Sequence, residues 1–85
     1  MPLRRPWNEL DRDVLRKLPD RYGVYEFGDE DGQVLEVGHG PLRDEIKEAI
    51  SYRDDVRKVR YEITPTSEAA RNKAREHKQR LAERS

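Results

Sequence analysis

Gly23-Val24-Tyr25-Glu26-Phe27-Gly28-Asp29-Glu30-Asp31-Gly32-Gln33-Val34-Leu35-Glu36-Val37-Gly38 is the stretch on which the fold turns. Two short runs, 23–27 and 33–38, are rich in β-branched and aromatic residues. Between them lies a polar segment bracketed by Gly28 and Gly32. Strand, Gly-bracketed turn and strand make a β-hairpin. Gly38-His39-Gly40-Pro41 is then expected to break the second strand, and Pro41 suits the first position of a helix. Leu42, Ile46, Ala49 and Ile50 mark one face of that helix, over 41–51, at i, i+4, i+7 and i+8.

Upstream, Trp7, Leu10, Val14, Leu15 and Leu18 share a helical stripe, which predicts a helix over 8–18. Asn8 suits its N-cap, Asp11 and Asp13 its first turns, and Pro19 its end. Downstream, Val59, Tyr61 and Ile63 alternate with Arg60, Glu62 and Thr64, a half-buried strand over 57–64. Thr64-Pro65-Thr66-Ser67-Glu68 supplies hydroxyl caps and an early carboxylate for a last helix over 67–83. Its apolar seam is thin: Ala70, Ala74, His77 and Leu81. The class is α+β: a small three-stranded antiparallel or mixed sheet flanked by three helices, in the order α-β-β-α-β-α, within one domain over 1–85.

Composition narrows the classes further. The 85 residues hold no cysteine, which excludes a disulfide scaffold and a Cys-type zinc site. No apolar run approaches the roughly 20 residues of a membrane helix. Arg4 and Arg5 are not followed by an apolar stretch, so no signal peptide is read and a cytoplasmic protein is expected. Lys+Arg and Asp+Glu are 18 each, but the signs are segregated. Residues 1–25 carry +2, residues 26–48 carry −6 and residues 53–85 carry +4. Either the opposite blocks neutralise each other within the fold, or the C-terminal block is a basic surface that meets an anion.

Leu18-Pro19-Asp20-Arg21-Tyr22-Gly23-Val24-Tyr25 resembles the opening of a GIY-YIG nuclease domain, with Gly23-Val24-Tyr25 as the first motif. Val34-Leu35-Glu36-Val37-Gly38-His39 stands where the second motif falls. The helix near Leu42-Arg43, the third strand and the helix opened by Ser67-Glu68-Ala69 follow in the same order, so the resemblance spans roughly residues 18–80. The family includes the N-terminal domain of the bacterial excision-repair incision nuclease subunit and phage homing endonucleases. It implies metal-assisted attack on a DNA phosphodiester. A Tyr orients or activates water, an Arg on the first helix holds the phosphate, and a Glu on the later helix binds Mg²⁺.

Position by position, the likeness implies a degenerate site. Tyr25 matches the first-motif Tyr. Its alternative is an aromatic on a half-buried strand. The second-motif Tyr is Glu36, and the following Lys is His39, which still donates a hydrogen bond or acts as a base. The Arg position is Glu45, with Arg43 nearby on another face of the helix. The metal-binding Glu position is Lys73, with Glu76 three residues on. If the domain is active, Tyr25, His39, Arg43 and Glu76 are its catalytic set, and Mg²⁺ is its only implied cofactor. Glu36, Glu45 and Asp44 form a candidate cation cluster. His39 and His77 lack zinc-site spacing, so no metal site is assigned.

Three functions stand side by side. The first is a binding or accessory module of lost nuclease activity, for a protein partner or a nucleic-acid backbone. Arg71, Arg75 and Lys78, at i, i+4 and i+7, form the basic stripe for phosphates, with Lys73, Arg80 and Arg84 adding charge. The plain alternative is a solvated helix face broken by Glu68, Glu76 and Glu83, with no aromatic for base stacking. The second function is an active Mg²⁺-dependent endonuclease with a rearranged site. The third is a structural or regulatory subunit docking through Trp7 or Tyr52. No membrane partner is expected.

Overall fold

The computed structural model describes residues 6–84, and the side chains of residues 83 and 84 are not described. Arg4 and Arg5, and the side chains of Glu83 and Arg84, therefore lie outside the described residues. In chain order the elements are β1 (Asn8–Glu9), α1 (Arg12–Lys17), β2 (Tyr22–Gly28), β3 (Val34–Pro41), α2 (Leu42–Tyr52), β4 (Lys58–Ile63) and α3 (Ser67–Arg84). The class is α+β, as the periodicity predicts. The sheet has four strands in the order β1-β4-β2-β3, every neighbouring pair antiparallel.

Strand β2 organises the molecule. It is central, and six of its seven residues, Gly23 to Gly28, are buried. Its odd positions Tyr25 and Phe27 join Val14, Leu18, Leu42, Ile46, Ala49 and Val59 in the larger core, roofed by α1 and α2. Its even positions face α3. There Val24 packs with Val37 and Ala74, with Val34 and Leu81 at the margin. The alanine seam of α3 is the one expected from the spacing, with Ala70 and Ala74 almost fully buried. Small side chains let the helix lie close to the sheet, but they bury little apolar area. Thr66 caps this helix, its hydroxyl accepting from the Ala69 N–H at 3.1 Å.

Several sequence expectations are corrected. The N-terminal helix is not 8–18 but the six residues Arg12–Lys17, capped by Asp11, whose Oδ1 accepts from the N–H groups of Asp13 and Val14. Asn8 does not cap it. Asn8 and Glu9 pair with Val59 and Lys58 as a short edge strand, which adds the fourth strand to the expected three. Trp7 lies outside the helical stripe, its ring under the Arg60 guanidinium at 4.1 Å. The second hairpin strand also does not break at Gly38. It continues through His39 and Gly40, which pair with Val24 and Gly23, to Pro41 opposite Tyr22. Gly40 supplies the turn of the chain there, at φ +144°, where a side chain would be strained. Pro41 thus stands at the N-cap of α2 rather than inside it.

The charge blocks meet inside the fold. Glu26, fully buried, sits directly across from Arg60 in the β2–β4 ladder, and the Arg60 Nε donates to its Oε1 at 2.6 Å. Arg53 bridges Glu36 at 3.3 Å and Asp55 at 2.9 Å. Lys73 pairs with Glu62 across the α3–β4 contact. His77 on α3 is buried against the same cluster, with its Nδ1 3.8 Å from Glu26 Oε2. Burial pushes this imidazole below its ordinary range, while Glu26 and Glu62 pull the other way. Among the described residues no helix is long and apolar enough to cross a membrane.

Candidate functional site

Tyr25 rises from the middle of β2 toward α2. The register sets it opposite Gly38 of β3, and the phenol lies directly over that glycine. A Cβ at position 38 would overlap the Tyr25 ring and hydroxyl, so the close approach requires glycine. The hydroxyl donates to Glu45 Oε2 at 3.2 Å, in the first turn of α2. Burial, then the negative charges of Glu45 and Glu36, hold the phenol far above the usual tyrosine range, with Glu48 adding to the effect. At neutral pH Tyr25 is a protonated hydrogen-bond donor, not a phenolate base.

Beside it opens a cleft of about 140 Å³, lined by Tyr25, Phe27, Glu36, Glu45, Glu48, Ala49, Tyr52 and Arg53. Three carboxylates face one guanidinium there, and that guanidinium is already held by Asp55 and Glu36. Its hydrogen bonds, to Asp55 above all, keep Arg53 protonated and hold the Asp55 carboxyl below the usual range. Two like charges about 4 Å apart repel by roughly 1 kcal/mol in water and roughly 4 at an effective dielectric of 20. A phosphodiester placed against Glu45 and Glu48 meets that repulsion twice. The charged side chains that line the recess sum to −2.

The other expected site residues are spread around the molecule. His39 is exposed on β3, opposite Val24, so it stands on the α3 side of the sheet. It shares with Tyr25 the lining of a larger surface groove, about 550 Å³, with Val34, Leu35, Lys78 and Leu81. Arg43 lies elsewhere, in a recess with Leu15, Asp20, Asp44 and Lys47. Glu76 is exposed on α3 and lines none of these recesses. The structure therefore does not bring Tyr25, His39, Arg43 and Glu76 together.

The cation cluster of Glu36, Glu45 and Asp44 is divided in the same way, since Asp44 faces the Arg43 recess. Among the described residues no group of three or more His, Asp or Glu side chains is placed to hold a metal. Lys73, at the expected Glu position, is engaged with Glu62. Arg71, Arg75 and Lys78 are all exposed, and among the described residues none of them makes an ion pair.

Glu48, Tyr52 and Arg53 complete the cleft and were not singled out as one site. Their sequence signal was faint: Glu48 and Tyr52, at i and i+4 on α2, and Arg53 at its C-cap follow Glu45 along the helix, which is visible only once Tyr25 fixes the direction of the site.

A family model described as a domain of unknown function (DUF7508) matches residues 1–80, and the chain belongs to that family. No curated protein and no solved structure matches it.

Proposed function

We propose that this chain is a GIY-YIG-like domain that has exchanged phosphodiester cleavage for binding, with a protein partner as its target. The observation that carries the reading is the Tyr25–Glu45 hydrogen bond at 3.2 Å, made where the resemblance implies an arginine. The phenol at the first motif and the glycine of the second are retained side by side, Tyr25 over Gly38. Glu45 stands at the phosphate-holding arginine position and Glu36 at the second-motif tyrosine, while His39 and Lys73 stand at the lysine and metal-carboxylate positions.

The residues present do not fit Mg²⁺. Glu76 lines none of the recesses around Tyr25, Lys73 occupies the expected carboxylate position, and among the described residues no group of three or more His, Asp or Glu side chains is close enough to hold a metal ion. No hydrolytic step is derived through a metal. What this chain's own groups do is hold a proton on Tyr25, present Glu36, Glu45 and Glu48 to a cation, and keep Arg53 fixed at the rim. A basic side chain of a partner, entering beside Tyr52, matches that chemistry.

The exposed stripe of Arg71, Arg75 and Lys78, which makes no ion pair among the described residues, favours a second reading, a nucleic-acid backbone laid along α3. It predicts a salt-dependent affinity that falls when the three become Ala. The test of the primary reading is a nicking assay on plasmid and branched DNA with Mg²⁺ or Mn²⁺. No cleavage is expected. Metal-dependent cleavage that disappears in Tyr25→Phe and Glu76→Gln would establish an active endonuclease instead.

A further inference from the structure

Strand β3 is the last strand of the sheet, and among the described residues nothing pairs with its outer side. Its ladder with β2 slips between Phe27 and Gly28, so Leu35 is an extra residue with no partner, and Pro41 closes the far end. A bulge and a proline are two of the devices that protect sheet edges. Between them, Glu36 to His39 remain a regular edge with neither lysine nor proline, and among the described residues no strand pairs with it.

The two faces beside this edge differ in charge: three carboxylates line the cleft on one side, and Lys78 stands beside the groove on the other. On the α2 side Glu36 is backed by Glu45 and Glu48 across the small cleft. On the α3 side His39 and Lys78 flank the larger groove, which Glu36 also lines at the strand edge, with Val34 and Leu81 as its apolar floor. Alternate residues of a strand point to opposite faces. A strand that binds here with alternating basic and acidic side chains satisfies both faces at once.

A second copy of this chain fits less well. Antiparallel self-pairing about a two-fold axis normal to the sheet keeps like faces together, setting the carboxylates of both copies on one side.

We propose that the outer edge of β3 captures an extended peptide segment in which cationic and anionic residues alternate, the cations entering the Tyr25–Glu45 cleft and the anions meeting His39 and Lys78. This rests on the reading of the domain as a binding module and names its partner class. Main-chain hydrogen bonds supply affinity, and the two charged faces set register and direction.

The test uses a fluorescent peptide about eight residues long that alternates lysine and glutamate, a block peptide of the same composition, and two alternating peptides N-methylated on one or the other set of alternate amides. Binding is read by anisotropy at low salt. The alternating peptide is expected to bind about tenfold more tightly than the block peptide, and one N-methylated set, not both, is expected to abolish binding. Glu36→Lys and Lys78→Glu, each with an unchanged melting curve, should weaken binding about fivefold.

The proposal is overturned if no alternating peptide binds below about 1 mM. It also fails if block and alternating peptides bind alike, if neither methylated set matters, or if sedimentation shows a dimer that excludes the peptide. Its failure beside a negative nicking assay would leave the binding-module reading standing. A positive nicking assay would remove that reading separately.

Discussion

Gly38→Ala is the sharpest probe of the site's geometry. In an ordinary strand, alanine in place of glycine gains roughly 0.5–1 kcal/mol, because the unfolded chain loses freedom. Gly38 does not have a positive φ, so its backbone allows the change. The obstacle is Tyr25 alone, whose ring and hydroxyl occupy the space that the new Cβ needs. Displacing a buried ring from a packed core costs about 1–3 kcal/mol. Loss of the hydrogen bond to Glu45 adds about 1 kcal/mol. The net destabilisation is then about 1–4 kcal/mol, a Tm lowered by about 5–25 °C for a domain of this size.

In a Tyr25→Leu background the ring is absent, and the same Gly38→Ala change should be neutral or slightly stabilising. The assay is a double-mutant cycle by urea unfolding followed by circular dichroism. The coupling energy between the two positions should reach about 2–4 kcal/mol. Equal costs of Gly38→Ala in both backgrounds would refute the placement of Tyr25 over Gly38, and with it the site built on that contact.

Other expectations follow from the buried charges and the cleft. The unfolded chain takes up a proton at His77 as pH falls through about 6.5, while the folded chain resists it because burial holds the imidazole low. Stability should therefore fall from pH 7 toward pH 5, and His77→Leu should flatten that slope by up to about 1.4 kcal/mol per pH unit in urea titrations. Arg60→Met removes the guanidinium from buried Glu26 and should cost about 3–5 kcal/mol at neutral pH, with Glu26→Gln in the same chain recovering part of it. Glu45→Gln should bring the Tyr25 phenol down toward the usual tyrosine range, read as an ultraviolet titration. Burial should still keep it above that range.

Elements with a long, regular period were legible. The hairpin, α2, β4 and the alanine seam of α3 rest on repeated spacings that tertiary contacts reinforce. The N-terminus was not. Leu10 continues the helical phase of Val14 and Leu18, yet its N–H bonds the Arg57 carbonyl as part of the β1 turn. A two-residue strand carries no periodicity of its own, and Asp11 and Asn8 are equally good caps by type. Gly40 and Pro41 read as breakers because their usual role is punctuation. Here an edge strand tolerates both.

The candidate site was half legible. Tyr25, Glu36 and Glu45 were marked by the resemblance, and the structure places them around one cleft. Arg43 and Glu76 were named for their residue types, but helix phase turns Arg43 toward α1, and Glu76 is exposed on the helix that packs on the other face of the sheet. The role of Glu26 was hidden. An acidic residue in a buried strand looks like a break in the pattern until the register sets Arg60 across from it.

The most direct measurement is a chemical-shift titration of the ¹⁵N-labelled protein with two small probes, arginine amide and a dinucleotide phosphodiester. Arginine amide is expected to shift the amides of Tyr25, Gly38, Glu45 and Glu48 as it enters the acidic cleft, while the phosphodiester leaves them unmoved. Shifts of those same amides with the phosphodiester, and none with arginine amide, would contradict the account.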